Sequence, residues 1–361
     1  MAEPLKLMYS IQKMEQVASV IKSNFKSFNE EKFIAHFKTK TWNEAELKAR
    51  VRLIAQALHD TLLADYKRAI DILIPASHML SLGYFGVFFS DFVEQYGQDD
   101  WDTSMRALSE FTKTSTAEFA IRPFIVKDEN LAMKQMHEWS KDKNHHIRRL
   151  SSEGCRPRLP WGMKLHSFVK DPSPVLSILE NLKNDDELYV RKSVANNLND
   201  ISKDNPEIAL ATAKKWIGKT PHTDWIVSHA MRGLLKAGNK DALALFGHAD
   251  AKGLSIKALN LSNQKIKLGD VLQFNFEVEN KNSPAKDCRI EYAVDYVKAN
   301  GTHSRKVFQI TKAVLNKGTH AFTRTQRMQD FTTRKHYSGQ HHLHILLNGE
   351  VKASASFMLK I

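Results

Sequence analysis

The residues with the most chemical content lie at 145–161, HHIRRLSSEGCRPRLPW. Ile147, Leu150, Ser151 and Gly154 recur at i, i+3, i+4 and i+7, which predicts a short helix with one narrow apolar or small face. Gly154 is expected to stop it, and Pro157 and Pro160 keep the chain from resuming. Glu153 then falls on the last turn, where unpaired carbonyls make the helix end partly negative and disfavour a carboxylate by up to about 1 kcal/mol. A carboxylate placed against the local rule, beside Arg149, Arg156, Arg158 and Trp161, marks the first place to look for a site. The plain alternative is a solvated Glu153 paired to Arg149 one turn back. Two further acids stand out. Glu118 follows Ser115-Thr116-Ala117 at the spacing of a capping box, and Asp200 follows Val190, Val194 and Leu198 at the end of another predicted helix.

Other chemistries lack their residues. The sequence has no nucleophilic triad, glycine-rich phosphate loop or paired CxxC motif. His145 and His146 are adjacent and expected to point to different sides of a helix, which argues against a shared metal; His342 and His344 would share a strand face but lack a third ligand. The expectation is therefore no metal and no nucleotide cofactor.

The elements that must position these acids are helices. From Ile11 to about His248 the apolar spacing is helical almost throughout, with short polar breaks at 27–29, 97–99, 141–144, 184–186 and 203–206. Such links between paired helices predict stacked antiparallel hairpins. A repeat lies inside this region: DKNHHIRR at 142–149 is similar to DDELYVRK at 185–192, 43 residues on, with a weaker third copy at 224–235. A period near 40 with two helices each predicts a HEAT-like α-helical solenoid whose concave edge the second helices line. An irregular helical bundle with coincidental similarity is the alternative.

Near Lys252 the period changes to two. Leu272, Phe274, Phe276 and Val278 alternate strictly, and further strands are predicted at 288–297, 304–310, 319–327, 341–347 and 351–359, after an opening strand at 254–261. Asn348-Gly349 is a type I′ hairpin signal. Some seven short strands in about 110 residues predict an immunoglobulin-like β-sandwich, with a small barrel as the alternative. The chain is thus read as two domains, 1–250 all-α and 251–361 all-β.

Composition agrees with a soluble globular protein: 361 residues, 42% hydrophobic, mean hydropathy −0.42, no apolar run of membrane-spanning length and no signal-peptide core at the N-terminus. Cys155 and Cys288, far apart, are read as free thiols in a reducing cytoplasm. The net charge of +13 is unevenly distributed. From Ala251 onward there are 18 Lys+Arg against 8 Asp+Glu, whereas the preceding part has 35 against 32. A basic C-terminal module on a nearly neutral helical part points to a polyanion; strand-borne cations do not fit a membrane surface. Lys281, Lys286, Arg289, Arg305, Lys306, Arg324, Arg327, Arg334 and Lys335 form the pool of candidates for binding it.

Three runs, EFAIRPF at 118–124, RRLSSEGCRPRLPW at 148–161 and VRKSVANNLND at 190–200, resemble the AlkC branch of the HEAT-repeat DNA alkylation-repair glycosylases. The resemblance covers about 1–248, and some members of that branch carry an immunoglobulin-like C-terminal domain. It implies a monofunctional glycosylase, acting as a monomer, that removes cationic N3-alkylated bases (3-methyladenine and 3-methylcytosine) from duplex DNA without drawing the base into a pocket. By motif match it implies Glu118 and Glu153 as the carboxylates nearest the lesion, Trp161 as a wall against the cationic nucleotide and Asp200 as a supporting acid. Arg148, Arg149, Arg158, Arg191 and Lys192 would grip phosphates, with neutral contacts from Asn196 and Asn197. The sister AlkD branch uses a different arrangement, and its residues are not transferred. The competing expectation is a non-catalytic HEAT-type scaffold that binds nucleic acid or protein in its groove.

Overall fold

The computed structural model describes residues 4–62, 65–80, 82–248, 250–283, 285–331 and 334–361. The chain folds as two compact units: Met1–Ala209 with Trp216–Ala230, and Leu210–Lys215 with Met231–Ile361. The first is helical among its described residues, and the second holds every named strand.

In the helical unit, the helices His145–Gly154 and Leu188–Asp204 pack side by side and correspond to the two repeats. Small and polar residues let them approach closely: Ser152 Oγ lies 2.6 Å from Ser193 Oγ, and Asn197 Nδ2 donates to the Ser152 carbonyl at 2.8 Å. Gly154 serves a close approach to Ile121 and Met136 rather than a left-handed stop. It is the last helical residue, its φ is not positive, and a Cβ there would stand 2.7 Å from Ile121 Cγ2 and 2.8 Å from Met136 Cε.

The repeated arginine step is a structural staple. Arg148 Nη1 donates to the carbonyls of Asp142 and Lys143, and Arg191 Nη1 does the same with Asp185 and Asp186. Arg148 also grips the Asp185 carboxylate with Nε and Nη2 at 2.6 and 3.0 Å, tying one repeat to the next. Asp185 Oδ1 additionally accepts from the Glu187 amide at 2.9 Å, which fixes the start of the second helix.

Among its described residues the second unit contains eight strands: β1 Leu254–Leu261, β2 Lys265–Lys267, β3 Val271–Asn280, β4 Lys286–Val297, β5 His303–Leu315, β6 Gly318–Arg327, β7 Gly339–Leu347 and β8 Glu350–Lys360. They form two sheets, ordered β1-β3-β6 and β2-β8-β7-β4-β5. Alternate residues Leu272, Phe274, Phe276 and Val278 of β3 share one core with Ile290, Tyr292, Val294 and Tyr296 of β4. That is the β-sandwich the alternation predicts. Strand β2, which the alternation does not predict, is three residues long and pairs parallel with β8, too short a segment to show a period. Asn348 and Gly349 turn β7 into β8 at φ +48° and +77°, the positive pair a type I′ turn requires.

Candidate active site

Glu118, Glu153 and Asp200 converge from three elements through two shared arginines. Glu153 sits one residue before the end of the His145–Gly154 helix; Arg156 Nη1 donates to its Oε1 at 2.7 Å, and Arg149 Nη2 stands 3.5 Å from the same oxygen. These two cations offset the unfavourable helix end. Arg149 also reaches Glu118, donating from Nη1 to Oε2 at 2.9 Å and from Nη2 to Oε1 at 3.3 Å, and to Thr116 Oγ1 at 2.8 Å. On the other side Arg156 Nε donates to Asp200 Oδ2 at 2.8 Å, and Lys203 Nζ reaches Asp200 Oδ1 at 2.8 Å. The result is a chain of alternating charge, Glu118–Arg149–Glu153–Arg156–Asp200–Lys203, with all three acids buried.

Burial works against the Arg149 charge, but Glu118 and Glu153 outweigh it and hold the guanidinium above its ordinary range. Arg156 is likewise opposed by burial and raised by Glu153 and Asp200. The acids are therefore fixed between permanent cations and cannot swing independently. Cys155 is fully buried against the Ser151 carbonyl and Asn197; burial pushes its thiol up to about 12, so it carries no thiolate to act with.

Two expectations about this region are corrected. Ser115 is not the start of a helix but the residue that ends the Trp101–Thr114 helix, and the next helix begins only at Arg122. Glu118 thus lies in the connecting turn, facing Arg149 rather than capping a backbone. Asp200 is not at its helix end either, since that helix continues a further turn to Asp204. A third correction concerns His145 and His146. Their rings lie 4.2 Å apart and both approach Tyr189, at 6.5 and 5.7 Å, because the neighbouring repeat offers one aromatic surface to both.

Trp161 is 56% exposed and adopts φ +66°, the left-handed region that costs a bulky residue about 1–2 kcal/mol. Its indole meets Tyr84 edge-on, with ring centroids 6.4 Å apart. Tyr84 lines two clefts. One, of 360 Å³, is bounded by Lys48, Asp91, Phe119 and Trp161; the other, of 280 Å³, by Thr116, Glu118, His146, Arg149 and Tyr189. Arg149 stacks on Tyr189 at 5.0 Å. A group in the second cleft would meet the Glu118 carboxylate and the Tyr84 and Tyr189 rings, with the Lys113 and Arg149 cations at its wall.

The remaining sequence candidates have different surroundings. Arg148 and Arg191 form the staple, Arg158 is held by both oxygens of Asp204, and Asn197 is buried between helices. Lys192 is exposed and Asn196 half-buried. Sequence reasoning noticed Arg156 only as a neighbour of Glu153; its i+3 spacing from that residue was the available signal for its bridging role. It gave no role to Thr116 and Tyr189, although they lie inside the capping-box and repeat motifs, nor to Tyr84 and Lys203, which lie in neither. Among the described residues no group of three or more His, Cys, Asp or Glu is arranged to hold a metal ion, and no helix is long and apolar enough to cross a membrane.

In the second unit the basic pool is partly committed. Arg289 is corrected from surface cation to buried residue, paired with buried Glu291 at 2.6 Å. Arg305 holds Asp295, Lys286 holds Asp250, and Arg334 stacks on Tyr296. Lys306, Arg324, Arg327 and Lys335 remain exposed.

The chain belongs to the DNA alkylation repair enzyme family, whose model matches residues 12–234. A second family model, the C-terminal Ig-like domain of the uncharacterised protein YhaZ, matches residues 255–361. Among relatives, the uncharacterized protein YhaZ of Bacillus subtilis is 45% identical over 357 residues, covering 98% of this chain and 99% of that protein. Among solved structures, the Pseudomonas fluorescens alkylpurine DNA glycosylase AlkC, bound to DNA containing an abasic site analog, superposes with a TM-score of 0.96 at 38% identity, covering 99% of this chain and 100% of that one.

Proposed function

We propose that this protein is a monofunctional DNA glycosylase that hydrolyses the N-glycosidic bond of cationic N3-alkylated bases, 3-methyladenine and 3-methylcytosine, in duplex DNA. The observation that carries the reading is the convergence of Glu118, Glu153 and Asp200 on one arginine-bridged chain, with Tyr84 lining the Glu118 cleft and meeting the exposed Trp161. Similarity along the whole chain to an alkylpurine DNA glycosylase supports it.

Alkylation at N3 places a positive charge on the base and weakens its bond to C1′. When that bond breaks, its electron pair moves to the base nitrogen and neutralises the base, while positive charge develops on the sugar. Carboxylates held in place beforehand stabilise that oxocarbenium-like state without reorganising. Water then adds its oxygen to C1′ and loses a proton to a carboxylate, which returns it to solvent. Glu153 and Glu118 are the acids nearest this event, Asp200 supports Glu153 through Arg156, and the Trp161 face stabilises the cationic nucleotide. The lesion is reached without a pocket that encloses a flipped base.

Within 1–250 lies the catalytic part, while the exposed cations of 251–361 bind DNA phosphates. Lys192 and Asn196 supply further contacts. Arg148, Arg149, Arg158, Arg191 and Asn197 act on DNA only through the elements they hold. The protein works as a cytoplasmic monomer. The test is direct: incubate methylated duplex DNA with the purified protein and identify the released bases. Release of 3-methyladenine and 3-methylcytosine is expected; binding without release of any base would leave a groove-binding scaffold instead.

A further inference from the structure

We propose that Arg122 and Lys48 are positioning residues that clamp the carbonyls on either side of Gly162 and hold Trp161 in its outward-facing form beside the Glu153 helix. The inference rests on the proposed role of Trp161.

Arg122 is completely buried, yet among the described residues it forms no ion pair. Its Nε donates to the Met163 carbonyl at 2.7 Å and its Nη1 to the Gly154 carbonyl at 2.8 Å, while Nη2 has no partner. A buried cation without a carboxylate is costly, so its place must be sought in what it joins. Gly154 closes the helix that carries Glu153, and Met163 lies two residues beyond Trp161. One side chain therefore spans the carboxylate-bearing helix end and the tryptophan turn.

The turn itself closes onto Arg122. A Cβ at Gly162 would stand 3.3 Å from Arg122 Cδ and Nε and 3.1 Å from Leu159 Cδ2, so the glycine permits the approach. From the opposite side comes Lys48, exposed on the Leu47–Leu62 helix. Its Nζ donates to the Trp161 carbonyl and stands 5.8 Å from the Phe119 ring centroid. A tryptophan at φ +66° persists only where its surroundings over-determine it, and these two cations do so. Each acts through the turn.

The test uses the full-length protein, with release from methylated duplex under single-turnover conditions, DNA affinity, and the emission of Trp161 taken as the difference from the matching Trp161→Phe protein. Lys48 is exposed, so Lys48→Met should fold normally. Its release rate is expected to fall on the order of tenfold, with DNA affinity changed less than about twofold, and Lys48→Arg should restore most of the rate. Arg122→Lys, able to hold one carbonyl but not both, should act in the same direction. The Trp161 emission should shift in both Lys48→Met and Arg122→Lys. Unchanged emission in both variants overturns the clamp, as does a rate loss matched by an equal loss of affinity. Emission does not depend on catalysis, so absence of base release by the unaltered protein would defeat the functional reading while still leaving the clamp tested.

Discussion

The Arg156 guanidinium stands between Glu153 and Asp200, donating from Nη1 to Glu153 Oε1 at 2.7 Å and from Nε to Asp200 Oδ2 at 2.8 Å, with Nη2 2.8 Å from that same Asp200 oxygen. Each acid is thereby placed by reference to the other. Arg156→Met would leave two buried carboxylates facing one another without their shared cation. Loss of about 3–5 kcal/mol of unfolding free energy is expected, read by urea titration at pH 7. A change below about 1 kcal/mol would mean that Arg149 and Lys203 alone suffice.

For the chemistry, Glu153→Gln should slow single-turnover release about 100-fold or more, while DNA affinity stays similar or rises because a negative charge has gone. Glu118→Gln should follow in the same direction. Both oxygens of Glu118 already face Arg149 rather than a helix start, so its effect should exceed that of a cap, which would change stability and leave the rate alone. Unchanged release in both variants removes the catalytic assignment.

A pH dependence of stability follows from Asp91. Burial pushes its carboxyl up to about 6, with Arg52 and the Gln95 hydrogen bond pulling the other way. An acid whose folded pKa lies above its unfolded value favours folding when protonated. Its contribution is thus complete below about pH 4 and is lost as pH rises through about 6. Relative to Asp91→Asn, the wild-type protein should gain about 2–3 kcal/mol between pH 7 and pH 4. Parallel stability curves for the two proteins over that range would contradict the shift.

The proposed DNA binding by the second unit makes a salt prediction. Replacing Lys306, Arg324, Arg327 and Lys335 together by glutamine should weaken binding to duplex DNA. The slope of log affinity against log salt should shrink by about 0.9 for each phosphate that is no longer neutralised. An unchanged slope would assign those side chains another task.

The period switch near Lys252, the alternating strands and the Asn348-Gly349 turn were legible in the sequence because each is written in neighbouring residues. The helical repeat was legible too, but its meaning was not: the apolar-Arg-basic step marks an inter-repeat tie, visible only once Asp185 is brought to Arg148. Glu118 failed as a capping box for a similar reason. Ser115-Thr116-Ala117-Glu118 has the spacing, but the preceding helix ends at Ser115, and the acid answers to Arg149, 31 residues away. Tyr84 stayed unseen because a single half-buried aromatic has no periodicity; only its edge-on meeting with Trp161 draws it into the site.

Asp185 belongs to a short link between helices, a place where chains usually tolerate insertions and deletions. Here that freedom is absent. Its carboxylate holds Arg148 of one repeat while its carbonyl accepts from Arg191 of the next. One residue added to 184–187 would rotate one partner away and slide the Glu153 helix against the Asp200 helix. The length of this link is therefore bound to the same geometry as the acids themselves.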